Sequence, residues 1–275
     1  MRFESWSKTD IGLVRESNQD HVGCFPDLGL FIVADGMGGH ADGEIASHMA
    51  VDILYAAYAR EDDTQPGRTL LPVSRPRSWL ARLGFGGTTV ARDQEMAKRE
   101  VARIAGAVEE ANRQIFARGH ADGGPVARAM GTTVIAVVLH EWSKRIAWAH
   151  VGDSRLYRLR GGKLELLTAD HTRFGERYRA GGVVPLDLPH TNQLTSALGV
   201  GPEVVVAAGS DVVERGDVFM LSSDGVSGLL TAEQIAQVLA EQPSPREMGE
   251  ELLRLALGRG GSDNATVVVV RALAD

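Results

Sequence analysis

Aspartates close four segments of this chain, each beside a small or turn-forming residue: Val33-Ala34-Asp35-Gly36, Val151-Gly152-Asp153-Ser154, Ser222-Ser223-Asp224-Gly225 and Gly261-Ser262-Asp263-Asn264. Taken singly, each pair reads as an ordinary turn, because Asp-Gly and Asp-Asn tolerate the backbone angles that tight turns need. Taken together they read as ligands, since strands of a sheet would deliver the carboxylates to one edge. Carboxylates, glycine carbonyls and water suit Mg²⁺ or Mn²⁺; a zinc site would call for a cysteine set or a His-x-x-x-His helix, which the sequence lacks. Two such ions about 4 Å apart can hold a water between them, lower its pKa and clamp a phosphoryl oxygen. The chemistry is hydrolysis without a protein nucleophile.

Positioning these carboxylates falls to short runs rich in Val, Ile and Leu. Residues 28–34, 132–139, 145–151, 154–159, 163–167, 204–208, 217–222 and 265–270 are too brief and too β-branched for amphipathic helices and predict strands. Gly161-Gly162 marks a tight hairpin, and the short connections favour antiparallel pairing. Helices show a different period: Ile45, Met49, Ile53 and Ala57 recur every four residues, and Val101, Ile104, Val108 and Ile115, spaced three, four and seven apart, form one stripe within 92–118. Thr231 with Gln234, and Ser244 with Pro245 and Glu247, have the spacing of helix N-caps, predicting two more helices near the C-terminus. The whole reads as an α+β domain of two packed sheets covered by helices. Between the first two helices, residues 61–89 read as an inserted loop in which Arg75, Arg77 and Arg82 interleave with Trp79, Leu80, Leu83 and Phe85, either a linker or a docking or membrane-touching element.

At 275 residues and 44% hydrophobic, the chain can build one large core, so a single domain over 1–275 is expected. A net charge of −7 argues against nucleic acid, whose phosphates select basic faces. The single cysteine, Cys24, fits a reducing compartment, and no run approaches a signal peptide or a membrane span, so a cytoplasmic protein is expected.

Several motifs then fall in one order: Gly12 to Asp20 with Arg15, Asn18 and Gln19; Asp35-Gly36-Met37-Gly38-Gly39-His40 with Gly43-Glu44; Gly131-Thr132-Thr133; Gly152-Asp153-Ser154-Arg155; Asp170-His171-Thr172; Thr195 to Gly199; Ser223-Asp224-Gly225; and Ser262-Asp263-Asn264. Together, from Gly12 to Val270, they resemble the type 2C serine/threonine phosphatases, the metal-dependent PPM family, in its bacterial form. The resemblance implies a four-layer α-β-β-α sandwich that hydrolyses phosphoserine and phosphothreonine in proteins with two Mn²⁺ or Mg²⁺ ions. By the same resemblance Asp35 bridges both metals, the Gly36 carbonyl binds one ion, and Asp224 and Asp263 bind the other. Asp20 would act through metal-bound water, Arg15 would grip the substrate phosphate with its planar guanidinium, and Asp153 would bind a third, weaker ion. Residues 172–191 match the family's flap. A monomer working on phosphorylated proteins, opposed by a cognate serine/threonine kinase, is implied.

The sequence departs from the family at three places. Gln19 stands where many members have Glu, Gly228 replaces a frequent aspartate and bears on the third ion, and Met37 occupies the position of a histidine proposed as general acid in animal members. His40 is the nearby candidate for that proton. Two rival readings remain. Gly152-Asp153-Ser154 with Asp187 and His190 resembles the catalytic set of GDS-type serine esterases, but that family sets its serine block after the first strand and its Asp-His pair near the C-terminus, whereas here both lie mid-chain and leave three aspartates unexplained. A non-catalytic module that binds phosphoproteins is the other.

Overall fold

The computed structural model describes residues 1–38, 41–62, 86–121, 130–141, 143–178, 183–191 and 193–273. Two antiparallel sheets carry the fold. The first orders its strands β1 (Phe3–Asp10), β11 (Ala265–Ala272), β10 (Val218–Ser222), β7 (Arg155–Arg160) and β8 (Lys163–Leu166). The second orders β2 (Asp20–Phe25), β3 (Leu30–Met37), β5 (Val134–His140), β6 (Arg145–Val151) and β9 (Ala207–Val212), with the two-residue β4 (Gly131–Thr132) on β3. Helices α1 (Ala41–Asp62) and α2 (Gly86–Gly119) cover the second sheet, and α4 (Ala232–Glu241) and α5 (Pro245–Gly258) cover the first. The single turn α3 (Asp224–Ser227) follows β10.

Strand alternation explains why the central strands read as unbroken apolar runs. Leu30, Ile32 and Ala34 of β3 face α1 and α2, while Phe31 and Val33 face the other sheet. Likewise Val267 and Val269 of β11 face α4 and α5, and Val268 and Val270 point between the sheets. Both faces are buried, so both must be apolar. Three cores separated by two sheets make the α-β-β-α sandwich, each fully buried Val, Leu or Ile contributing about 1.5–3 kcal/mol.

Edge elements depart from expectation. β1 and β2 were not predicted as strands; both are sheet edges, half-exposed and mixed in polarity, and they form because β11 and β3 offer them paired backbone. β9 is displaced from the expected 204–208 to Ala207–Val212, another edge, where Gly209 lies beneath Trp148: a Cβ there would stand 2.5 Å from the indole. α2 starts at Gly86, before the expected residue 92. The Gly161-Gly162 hairpin joins β7 to β8 with both glycines at positive φ, and the Thr231/Gln234 capping box has both of its reciprocal bonds. Ser244 accepts from Glu247 N–H as α5 begins. Most of the expected 61–89 insertion, with its Arg75 to Phe85 cluster, lies outside the described residues. No helix among the described residues is long and apolar enough to cross a membrane.

Candidate metal centre

The register of the second sheet sets Asp20 on β2 opposite Asp35 on β3. Asp35 is locked from the far side: its N–H donates to Thr133 Oγ1 at 3.1 Å, and its carbonyl accepts from Thr133 N–H at 2.8 Å and Thr132 Oγ1 at 2.9 Å. Gly36 follows where a Cβ would meet the Gly43 carbonyl at 2.2 Å and the Gln19 carbonyl at 2.6 Å, so only glycine fits between these backbones. The first sheet supplies the rest. β10 ends at Ser222, and Asp224 opens α3; β11 begins at Ala265, directly after Asp263-Asn264. The two turns interlock, since a Cβ on Gly225 would lie 2.0 Å from the Asn264 carbonyl.

Asn264 organises the loop ahead of β2. Its Nδ2 donates to the carbonyls of Ile11 at 2.9 Å and Ser17 at 3.0 Å, and its Oδ1 accepts from Gln19 N–H at 2.9 Å. Gly12, at φ +80°, packs on the Asp263 carbonyl and turns the loop. Arg15 thereby reaches the site, its Nη2 2.6 Å from Asp263 Oδ2. Gln19 donates from its amide to the Gly38 carbonyl at 3.3 Å. Asp153 stands on the bend after β6, buried, with Gly152 at φ +106° beside it.

Electrostatically the cluster is under-neutralised. Asp35 is partly buried, and desolvation followed by the charges of Asp20, Asp224, Asp153 and Asp263 pushes its carboxyl well above the usual range. Burial raises Asp224 as well, reinforced by Asp263, while a hydrogen bond with Asp35 opposes the rise. Asp20 is raised to about 7 by burial, although Thr266 Oγ1 at 2.6 Å and Ser223 Oγ at 2.7 Å donate to its Oδ2. Asp153 is raised to about 7, again by burial first and then by Asp224 and Asp170. Asp20 Oδ1 and Asp224 Oδ1 are buried atoms with no hydrogen-bond partner among the described residues. Orphaned carboxylate oxygens facing like charges are the donor set a hard cation would satisfy. Among the described residues no three His, Cys, Asp or Glu side chains stand at ready coordination spacing: Arg15 holds Asp263, and Asp35 and Asp224 hold each other.

Residues 14–256 match the family model for protein phosphatase 2C. The chain belongs to the protein phosphatase 2C family. A putative protein phosphatase 2C-type from Streptococcus pyogenes is 32% identical over 269 residues, covering 96% of this chain and 95% of that one. The solved serine/threonine phosphatase PstP of Mycobacterium tuberculosis superposes with a TM-score of 0.73 at 31% identity, with full coverage of both chains. A structure of the PstP catalytic domain in complex with two manganese ions matches at a TM-score of 0.71 and 30% identity, covering 99% of each chain. This protein phosphatase 2C member is thus a metal-dependent serine/threonine protein phosphatase with the fold expected from its sequence.

The esterase reading fails on geometry. Ser154 is 1% exposed and shares a 2.7 Å hydrogen bond with Thr133 Oγ1, so it faces the core and not an ester. His190 is held down to about 3 by burial, reinforced by the Arg155 charge, and packs by Gly228. His40 lies outside the described residues. Met37 packs its Cε methyl against Gly131, where a Cβ would be 3.0 Å away. Sequence reasoning assigned no roles to Ser223, Thr266 and Asn264; the first two share one oxygen of Asp20 and the third shapes the Arg15 loop. The Ser-Asp-Asn motif was the available signal.

Proposed function

We propose that Asp35, Asp224 and Asp263, with the Gly36 carbonyl, hold two Mn²⁺ or Mg²⁺ ions in this phosphatase, and that Asp153 serves a third. The convergence of these partly buried, mutually repelling carboxylates beside Arg15 carries the reading. Divalent ions bound there supply Lewis-acid charge to activate a water and neutralise a phosphoryl group. Arg15, half-exposed and now paired with Asp263, swings its free guanidinium edge to the phosphoryl oxygens and orients them for in-line attack. Ser223 and Thr266 fix Oδ2 of Asp20, which would leave Oδ1 to act through ion-bound water. Thr132 and Thr133 keep Asp35 from turning away from the cluster.

The whole chain acts as one catalytic domain, a reading supported by relatives of the same length named as phosphatases, and works as a cytoplasmic monomer on proteins phosphorylated by a cognate serine/threonine kinase. The test is phosphate release from a phosphoserine peptide. Asp35→Asn or Asp224→Asn should lower kcat/KM by at least about a thousandfold, in the range for loss of a principal electrostatic catalyst, while Ser154→Ala keeps most activity. Retained hydrolysis in either aspartate variant overturns the ligand assignment.

A further inference from the structure

The metal-site assignment leaves a buried cation unused. Arg155, at the start of β7, is 2% exposed and lies two residues beyond Asp153. Its Nε is 3.1 Å from Asp170 Oδ1 and its Nη2 2.8 Å from Asp170 Oδ2, a bidentate fork on a carboxylate with no exposure at all. The same Nη2 donates to the Leu188 carbonyl at 2.6 Å, and Nη1 donates to the Tyr157 hydroxyl at 3.2 Å. One guanidinium therefore joins two places that are eighteen residues apart in sequence, Asp170 and Leu188.

Those two places begin the two limbs of a segment, which abut the turns carrying Asp153 and Asp224. On the first limb, His171 N–H donates to the Gly152 carbonyl at 2.8 Å, next to Asp153, and Gly175 sits so close that a Cβ would meet the Asp170 carbonyl at 2.0 Å. On the second limb, His190 packs by Gly228, whose N–H donates to the Asp224 carbonyl at 2.6 Å. The first limb thus rests on the turn of one candidate ligand and the second on the turn of another. Between the anchors the segment presents Phe174 and Val183 to solvent, Val183 at 91% exposure.

We propose that Arg155 is a positioning residue for protein substrates: its guanidinium ties both limbs of this segment together and sets where the exposed Phe174 and Val183 stand. The inference rests on the phosphatase reading above and adds to it a determinant of phosphoprotein binding. A lysine cannot reproduce it, because an ammonium is a point donor and lacks the planar fork that reaches Asp170 and Leu188 at once. The ligand turns themselves are held by Thr133 and Asn264, neither of which bonds to the Arg155 guanidinium, and β10 meets Arg155 through backbone pairing opposite Ser222, which a lysine keeps.

The experiment compares wild type, Arg155→Lys and Tyr157→Phe with Mn²⁺, on a phosphothreonine peptide and on p-nitrophenyl phosphate, after thermal unfolding has confirmed that each is folded. Arg155→Lys should raise KM for the peptide about tenfold, the size of one charge-assisted hydrogen bond, with kcat within about threefold and KM for the aryl phosphate within about twofold. Tyr157→Phe removes a partner of Arg155 that is not on the segment, and should leave the peptide KM within about twofold. Equal KM changes for both substrates, or a fall in kcat at constant KM, would overturn the proposal. If Arg155→Lys does not fold, Asp170→Asn carries the same test, and inability of both to fold would assign the pair to stability alone and overturn it as well. Wild-type hydrolysis of the aryl phosphate, measured alongside, separates failure here from failure of the phosphatase reading.

Discussion

Asp153→Asn should make the metal-free protein more stable at pH 8 although it removes a charged group from the candidate centre. Asp153 is 6% exposed, and burial, then the negative charges of Asp224 and Asp170, lift its carboxyl from 3.8 to about 7. For a carboxyl raised in this way the folded state holds a proton that the unfolded chain has given up. Its contribution to stability is full below about pH 4 and is lost as pH climbs through about 7. Ionising it within the fold costs on the order of 4 kcal/mol by pH 8. Asparagine has the same shape and no charge at any pH, so the variant escapes this cost. Urea unfolding of EDTA-treated wild type and variant across pH 4.5 to 8 reads it directly. The variant's advantage should be near zero at the acid end and grow by about 2–4 kcal/mol at the alkaline end. Comparing the two proteins cancels His190, whose depressed pKa gives the opposite slope below about pH 6.5. Mn²⁺ should shrink the advantage by neutralising the carboxylate. A variant that gains nothing between pH 5 and pH 8 would refute the claim that this carboxylate is buried against like charge.

Two more outcomes follow from the geometry. Gly36→Ala forces a Cβ to within 2.2 Å of the Gly43 carbonyl, backbone against backbone; chemical denaturation should show a loss of at least about 1–3 kcal/mol, with activity falling further than stability because Asp35 shifts too. Arg15→Ala frees Asp263 but removes the phosphate grip; steady-state kinetics should show KM for a phosphopeptide rising by about tenfold or more and kcat falling as well.

Much of this was legible in the sequence, for identifiable reasons. β3, β5, β10 and β11 are buried on both faces, so composition alone marks them, and Asp35 and Asp224 are the residues that follow such runs. β1 and β2 were not legible, since an edge strand needs no apolar pattern of its own when a neighbour offers its backbone, yet these two strands carry the Arg15 loop and Asp20. β9 was displaced because the alternating Val204 to Val206 packs onto the α1–α2 core by its side chains while the backbone pairing falls on Ala207 to Val212. At the centre, the aspartates announce themselves by repetition, whereas Ser223, Thr266 and Asn264 act through hydrogen bonds between residues more than 40 apart, which spacing along the chain cannot express. Arg155 is the sharpest case: Gly-Asp-Ser-Arg reads as a motif, but the partners that give the arginine its role, Asp170 and Leu188, become visible in three dimensions.

The central claim is that clustered carboxylates hold divalent ions that make this chain a phosphatase. Phosphate release from a phosphothreonine peptide by EDTA-treated protein, followed as Mn²⁺ is restored, tests it most directly. The account predicts no turnover in EDTA and recovery with added Mn²⁺ in wild type, with no recovery in Asp224→Asn. Full hydrolysis in EDTA, or equal recovery in the variant, would contradict it.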